Sequence, residues 1–391
     1  MVCLSKECWV PTAPRRTQVD GAFYIRRKHP IDGRPHWGRQ RALIEFTTGG
    51  VDVDPFYNLW RSTHARQRAA IAAYVSHMMA RQQRTAHFSF IINNTVARVV
   101  RWEHAGPTFT EPFDYVQNPE LMCEFLWRFS ILSDEDQGFD FSAKLLGKRH
   151  KWYKLMDTIA RGPLEGQPED ICEDECTVVA VPGDPSFSAS PSRTFKYVRK
   201  MFAASLDDDW PRYRVAVPTD LPGRFKYFLI GKPTVQAPQM VGEGPRGYVA
   251  VDVETKRFVW LKDTWRPYYA GVDTEGDILR RLHAAQVPNI STVLCAGDIR
   301  QETQMHYHWK PDTTRPARDC ELKRSRSGQP TAGGQQNCDH FPRILSHYRL
   351  VLREVCLRLV DFKTSRQLIQ AVLDSLEGAL CTLNAPSNDL H

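Results

Sequence analysis

The sequence predicts an α+β chain built from two successive modules. Runs with the 3.6-residue period of a helix alternate with short apolar or alternating runs typical of strands, in both halves of the 391 residues. Between the halves, residues 161–193 have the loop-like composition expected of a linker. A chain of this length can bury a separate core in each module.

The composition indicates a globular, intracellular protein. Hydrophobic residues make up 42% of the chain and charged residues 25%, which excludes a disordered tail. The N-terminus lacks the apolar core of a signal peptide, and no run of about 18 apolar residues is present to span a membrane. Ten cysteines without such a leader predict reduced thiols in the cytoplasm or nucleus. The net charge of +7 permits an acidic partner, but we expect neither nucleic acid nor a membrane as the partner.

The first module is expected to span residues 36–160, after an entry segment at 1–35 whose Pro, Arg and Lys content predicts a disordered, basic segment. The predicted elements are a strand at 42–46, a helix at 64–83, a hairpin of strands at 87–93 and 95–102, and a helix at 119–132.

The strand ALIEF resembles that of a nuclease-like fold, in which an E-x-K pair and an upstream Asp bind a metal. Here Phe46 and Thr47 follow Glu45, so the lysine that activates water is absent. Asp32 is the nearby upstream carboxylate. A structural strand end is the favoured interpretation, and a nuclease-like module would be inactive. Cys172 and Cys176 have no second ligand pair, so no metal site is expected.

The second module is expected at 194–391. Its predicted elements are strands from about 225 to 262, a helix at 274–285, an exposed insertion at about 302–342, ordered chain at 347–362 and a helix at 365–383.

Three glycines in the second module, Gly242, Gly244 and Gly247, have G-x-G-x-x-G spacing. A hairpin that uses glycine for its positive φ angles would explain them without a ligand. The strand YVAVDV, which includes Val249, follows them directly, whereas a dinucleotide-binding unit would continue into a helix. Strand, loop, strand, turn and strand is instead the order in which protein kinases cover ATP phosphates and present a lysine.

Lys262 lies fifteen residues after the last glycine, and Glu275 begins a predicted helix thirteen residues later. A lysine that contacts phosphates in a partly dry cleft loses hydration, and a carboxylate on a neighbouring helix keeps it charged and fixes its long side chain. A lone lysine at a strand end is usually a surface residue. Together with the glycines, the pair favours a kinase-type nucleotide site.

The segments RGYVAVD, FVWLKDTWRP, HYRLVLREV and SRQLIQAVLDSLEGAL are similar to those of the fungal-type protein kinase family, a divergent group of mushroom-forming fungi. The resemblance extends upstream to ARVVRWEHAGPTFTEPFDY and covers most of residues 40–390. It implies a protein-kinase-like N-lobe with an αC-type helix, a hinge at 353–362 and the first long helix of the C-lobe. It also implies Ser/Thr-directed transfer from ATP with Mg²⁺, in which Lys262 binds phosphate and Glu275 orients it.

The resemblance also implies that the catalytic loop is absent. In the family, the catalytic aspartate, the asparagine and the D-F-G aspartate follow the long helix. His391 stands where an H-R-D loop would begin, and DFK at 361–363 lies too early in the chain. We therefore expect most of the C-lobe to be missing, no catalytic residue to be present, and ATP and Mg²⁺ binding to be weak or absent.

Two questions stay open from sequence. Trp260 occupies the place of a small alanine beneath the adenine, so its indole either crowds the base or fills the core of the lobe. The chain is either an inactive kinase or a non-enzymatic interaction or regulatory scaffold with a protein partner; an inactive nuclease-like, nucleic-acid-binding protein is the weaker alternative.

Overall fold

The computed structural model describes residues 2–4, 20–25, 37–49, 54–57, 62–172, 194–237, 240–267, 272–303 and 344–384. These residues form two β-sheets and six α-helices, which confirms the predicted α+β class. None of the described helices is long and apolar enough to cross a bilayer.

The first module consists of a seven-stranded sheet and two helices. They are β1 (Val2–Leu4), β2 (Gly21–Phe23), β3 (Ala42–Thr47), α1 (Ser62–Gln82), β4 (Ala86–Asn93), β5 (Val96–Glu103), β6 (Gly106–Phe109), β7 (Phe113–Asp114) and α2 (Pro119–Ile131). Strands β1 to β6 lie side by side in chain order, and β7 pairs with β5. Among these strands only β3 and β4 pair in parallel. Helix α1 lies between them in the chain and provides the crossover that parallel neighbours require.

Alternation along the strands divides the first module into two apolar layers. On one face Leu43 packs with Met78 of α1, and on the other Phe90 packs with Phe129 of α2. The helices predicted at 64–83 and 119–132 therefore cover opposite faces of one sheet.

The second module consists of an eight-stranded sheet and four helices. They are β8 (Ala143–Leu145), α3 (Lys151–Arg161), α4 (Lys196–Ser205), β9 (Tyr213–Pro218), β10 (Phe225–Ile230), β11 (Val235–Gln236), β12 (Arg246–Asp252), β13 (Phe258–Pro267), α5 (Glu275–Ala284), β14 (Val293–Glu302), β15 (Leu345–Leu352) and α6 (Ser365–Asn384). The strand order is β14-β15-β13-β12-β10-β9-β8, with β11 on β12, and every pairing is antiparallel.

The structure places the division between the modules earlier than the sequence suggested. Strand β8 lies within the segment predicted for the first module, yet it pairs with β9 of the second sheet. Helix α3 also packs on α4, where Met156 and Phe202 share one buried cluster. Apolar contacts between α3 and α4 thus extend the second module back to about residue 143.

The entry segment also differs from expectation. Residues 1–35 were expected to be disordered, but β1 and β2 fall within them and extend the first sheet. Ala22 of β2 and Tyr24, which directly follows the strand, are both buried despite the basic composition around them. Most of the predicted linker, the predicted insertion from residue 304 and His391 lie outside the described residues.

The two sheets contact each other through buried polar groups. The Tyr213 hydroxyl donates to the carbonyl of Arg81 at 3.1 Å, and the Gln83 amide donates to the Tyr248 hydroxyl at 3.1 Å. All four residues are buried. The end of α1 is thereby fixed to β9 and β12.

Candidate functional site

Lys262 and Glu275 form an ion pair at the edge of α5. The Nζ of Lys262 donates to Oε2 of Glu275 at 2.5 Å, and the two side chains are 33% and 45% exposed. Lys262 lies on β13, opposite Gly247 of β12 on one side and Leu350 of β15 on the other. The structure therefore brings together the lysine, the glutamate and the third glycine of the motif.

Local chemistry explains where Glu275 sits. Thr274 caps α5, since its hydroxyl accepts from the amide of Asp277 while the Asp277 carboxylate accepts from the amide of Thr274. The amide of Gly276 donates to the hydroxyl of Tyr348 at 3.0 Å. A Cβ at Gly276 would lie 2.6 Å from that hydroxyl, so only glycine allows the helix to start this close to the sheet. The close approach sets Glu275 beside Lys262.

Trp260 is partly buried on the face of the sheet that carries Lys262. Its indole lies across Gly247, where an added Cβ would meet Cζ2 at 2.3 Å. It packs against a cluster that includes the buried Val249 and helices α3 and α4. The structure shows this packing, and the crowding of a base by the indole stays a prediction.

A tyrosine from α4 contacts the segment expected to be the hinge. The Tyr197 hydroxyl donates to the carbonyl of Val355, which is itself buried in the same cluster as Val249. Helices α3 and α4 thus cover the sheet face next to Trp260, a feature that sequence reasoning missed because neither helix was predicted.

The first two glycines lie elsewhere than expected. The amide of Gly242 donates to the carbonyl of His104 in the first module at 2.8 Å. Gly244 has a φ of +47°, and an added Cβ would lie 2.7 Å from the His104 ring. The sequence placed both glycines over nucleotide phosphates, whereas the structure packs this loop against the first module. Their role in phosphate binding stays a prediction.

A buried charge network lies one residue beyond Lys262. Asp263 accepts from Nε2 of His347 at 2.6 Å and from Arg246 and Arg349 at 3.2 Å each. Arg349 also donates to Asp140 at 2.5 Å. Burial would raise the pKa of Asp263, but the surrounding cations, Arg246 foremost, hold it well below its usual value.

Sequence reasoning missed this network, although a signal was present. Asp263 and Arg349 each stand in a strand that also carries large apolar residues, and they are direct neighbours across β13 and β15. A charge in such a strand is rarely buried without a partner. The opposite charges of Asp263 and Arg349 could therefore have predicted that these two strands are neighbours in the sheet.

Glu45 is the carboxylate that the sequence analysis considered for a nuclease-like site, and it is not part of an E-x-K motif. Glu45 lies on β3, and burial, with a smaller contribution from Asp20, raises its pKa to about 8. Asp20, which sequence reasoning did not consider, accepts from the amide of Phe46 at 2.8 Å. Asp32 and Cys176 lie outside the described residues. Within the described part of the chain, no group of three or more His, Cys, Asp or Glu residues is placed to hold a metal ion.

Part of the chain is similar to a known protein family. Residues 205–391 match the family model described as fungal protein kinase. No curated protein and no solved structure matches the chain. The matched segment includes Lys262, Glu275 and the glycines, and it excludes His104 and the rest of the first module.

Proposed function

We propose that the second sheet is the nucleotide-binding small lobe of a kinase-like protein, because residues 205–391 match the family model described as fungal protein kinase. In this proposal Lys262 contacts the nucleotide phosphates and Glu275 holds it in place. Gly247 and Val249 lie on the same sheet face as Lys262, whereas Gly242 and Gly244 join the site when their loop approaches it.

The ion pair between Lys262 and Glu275 is the observation that carries the proposal. An exposed ion pair contributes only about 0–1 kcal/mol to stability, so a gain in stability does not explain this pair well. A phosphate site, in contrast, needs a lysine that stays charged and has a fixed side chain. The capped start of α5, pressed onto the sheet at Gly276, supplies a rigid carboxylate for that purpose.

The base side of the site fits a nucleotide less well than the phosphate side does. Trp260 lies on Gly247, and Tyr197 already uses the carbonyl of Val355 in the hinge segment. A base would have to displace packed apolar side chains. We therefore propose that Mg²⁺–ATP binds weakly to this conformation and that the phosphates provide most of the contact.

We propose no phosphoryl transfer by the 391-residue chain itself. The transfer depends on metal charge and on a positioned base, and losing one charge-stabilising group costs roughly 10³-fold in rate. No H-R-D or D-F-G tripeptide occurs in these residues. Where a kinase of this family acts, the proposed substrates are Ser or Thr side chains of an intracellular protein.

Titration calorimetry with Mg²⁺–ATP tests the proposal. We expect weak binding by the chain, and a further loss of at least about tenfold in Lys262→Ala, because a charge-assisted contact to phosphate contributes about 1.5–3 kcal/mol. Lys226→Ala on β10 is the matched control and should bind like the parent. Equal binding by parent and Lys262→Ala would exclude the lysine from the site.

A further inference from the structure

The loop that carries Gly242 and Gly244 is anchored in the core of the first module. Met240, two residues before the first glycine, is buried in the cluster formed by α1 and the first sheet, together with Met79 and Trp102. The loop is thus attached to a core other than that of its own sheet.

Backbone contacts fix the loop on both sides. On one side the amide of Gly242 donates to the carbonyl of His104 at 2.8 Å. On the other, the carbonyl of Glu243 accepts from the amide of Trp265 at 2.8 Å and from the Thr264 hydroxyl at 3.1 Å. These contacts extend the pairing of β12 and β13 into the glycine segment.

Stacked rings join the loop contact to the buried charge network. The Trp265 ring lies between His104 and His347, with centroid distances of 4.9 and 4.8 Å. Burial lowers the pKa of His104 to about 3, and the charge of Arg246 acts in the same direction, so the imidazole stays neutral in the stack. The stack connects the first module to the strand that carries Lys262.

This docked arrangement competes with phosphate binding. A glycine loop binds phosphate through free backbone amides that point at the oxygens. Here the amide of Gly242 is occupied by His104, and Gly244 lies against the imidazole ring. The same groups cannot serve the first module and a phosphate together.

We propose that the first module is an inhibitory clamp on the nucleotide site: His104 and Met240 hold the glycine loop in a docked state that must open before phosphate binds. The inference rests on the proposed function of Lys262. When only a fraction of molecules is competent, apparent affinity falls by that fraction, so weakening the clamp raises nucleotide affinity.

Two variants of the full chain test the clamp from opposite sides. His104→Ala removes the ring from the first module, and Met240→Ser removes the apolar anchor from the loop. His87→Ala is the matched control, because His87 is another fully buried imidazole of the first sheet, on β4 opposite Trp102. Amide hydrogen exchange of residues 240–247 without nucleotide, and Mg²⁺–ATP affinity, are measured for each variant that retains the parent circular dichroism.

We expect faster exchange of the loop amides and about tenfold tighter nucleotide binding in both clamp variants, with neither change in His87→Ala. Faster exchange without tighter binding, or unchanged exchange in both variants, would overturn the clamp. Adding Lys262→Ala to each variant separates the two proposals. A gain in affinity that survives this substitution would support the clamp and refute the role of Lys262.

Discussion

Asp263 and Arg349 face each other across β13 and β15 as fully buried neighbours, and Arg349 continues to Asp140 at the end of the first module. One guanidinium therefore neutralises carboxylates that come from two different parts of the chain. The strand that presents Lys262 is held by the same contacts that join the two sheets.

Replacing Arg349 with methionine should destabilise the protein strongly. The substitution leaves Asp263 and Asp140 buried with fewer positive partners, and breaking a buried pair from one side costs about 3–5 kcal/mol. Urea unfolding should show this loss, together with a broader transition as the sheets separate. Arg358→Met is the control, since its pair with Asp361 is exposed to solvent and should contribute little to stability. Equal effects of the two substitutions would contradict the importance of the buried network.

Adding a methyl group at Gly276 should displace the start of α5. The new Cβ would lie 2.6 Å from the Tyr348 hydroxyl and 2.8 Å from Cβ of Ala296. Overpacking of this kind costs about 1–3 kcal/mol, and we expect it to move Glu275 away from Lys262. Thermal unfolding measures the first effect, and loss of nucleotide binding measures the second. Gly147→Ala, with open space around the added atom, should change neither.

Removing the indole of Trp260 should weaken the fold and improve the nucleotide site. A half-buried tryptophan contributes less than the 3–5 kcal/mol of a fully buried one, so we expect a loss of about 2 kcal/mol in urea unfolding. The space over Gly247 then becomes available to a base, and ATP affinity should rise. Trp127→Ala on α2, whose side chain is 62% exposed, serves as control for both measurements. Unchanged affinity in Trp260→Ala would show that the indole does not obstruct the base.

Glu45→Gln should stabilise the first module in a pH-dependent way. Burial raises the pKa of Glu45 from 4.5 to about 8, so the folded state holds the proton more tightly than the unfolded state does. The stability of the parent therefore falls as pH rises from about 4.5 through 8, because the unfolded chain releases the proton first. Glutamine cannot ionise, so its advantage should grow over that interval and level off above it. Urea unfolding at several pH values measures this, with Glu124→Gln, whose side chain on α2 is exposed, as the control.

Local pattern predicted most of the long elements of this fold. The apolar stripes of α1, α2 and α6 predict these helices within one or two residues of their observed ends, and the predicted bounds of α5 agree equally well. Strand β8 has only three residues, and β14 mixes polar and apolar positions without alternation, so neither was visible in the sequence.

The candidate site was predictable only where the spacing of residues along the chain determines which side chains meet. The pairing of Lys262 with Glu275 follows from a strand followed by a capped helix. The docking of Met240 depends on a contact with α1, more than 150 residues earlier in the chain, which no local pattern reports. The same holds for Trp260, whose neighbours on α3 and α4 determine whether its indole is covered.

Affinity labelling with an acyl-phosphate derivative of ATP tests the central claim most directly. The amine of a lysine beside the bound phosphates attacks the acyl carbon, forms an amide and releases ATP, and peptide mass spectrometry then identifies the lysine. We expect Lys262 to be labelled, excess ATP to protect it, and labelling to increase in His104→Ala. Labelling spread over surface lysines such as Lys226, without protection by ATP, would contradict the assignment of Lys262 to a nucleotide site.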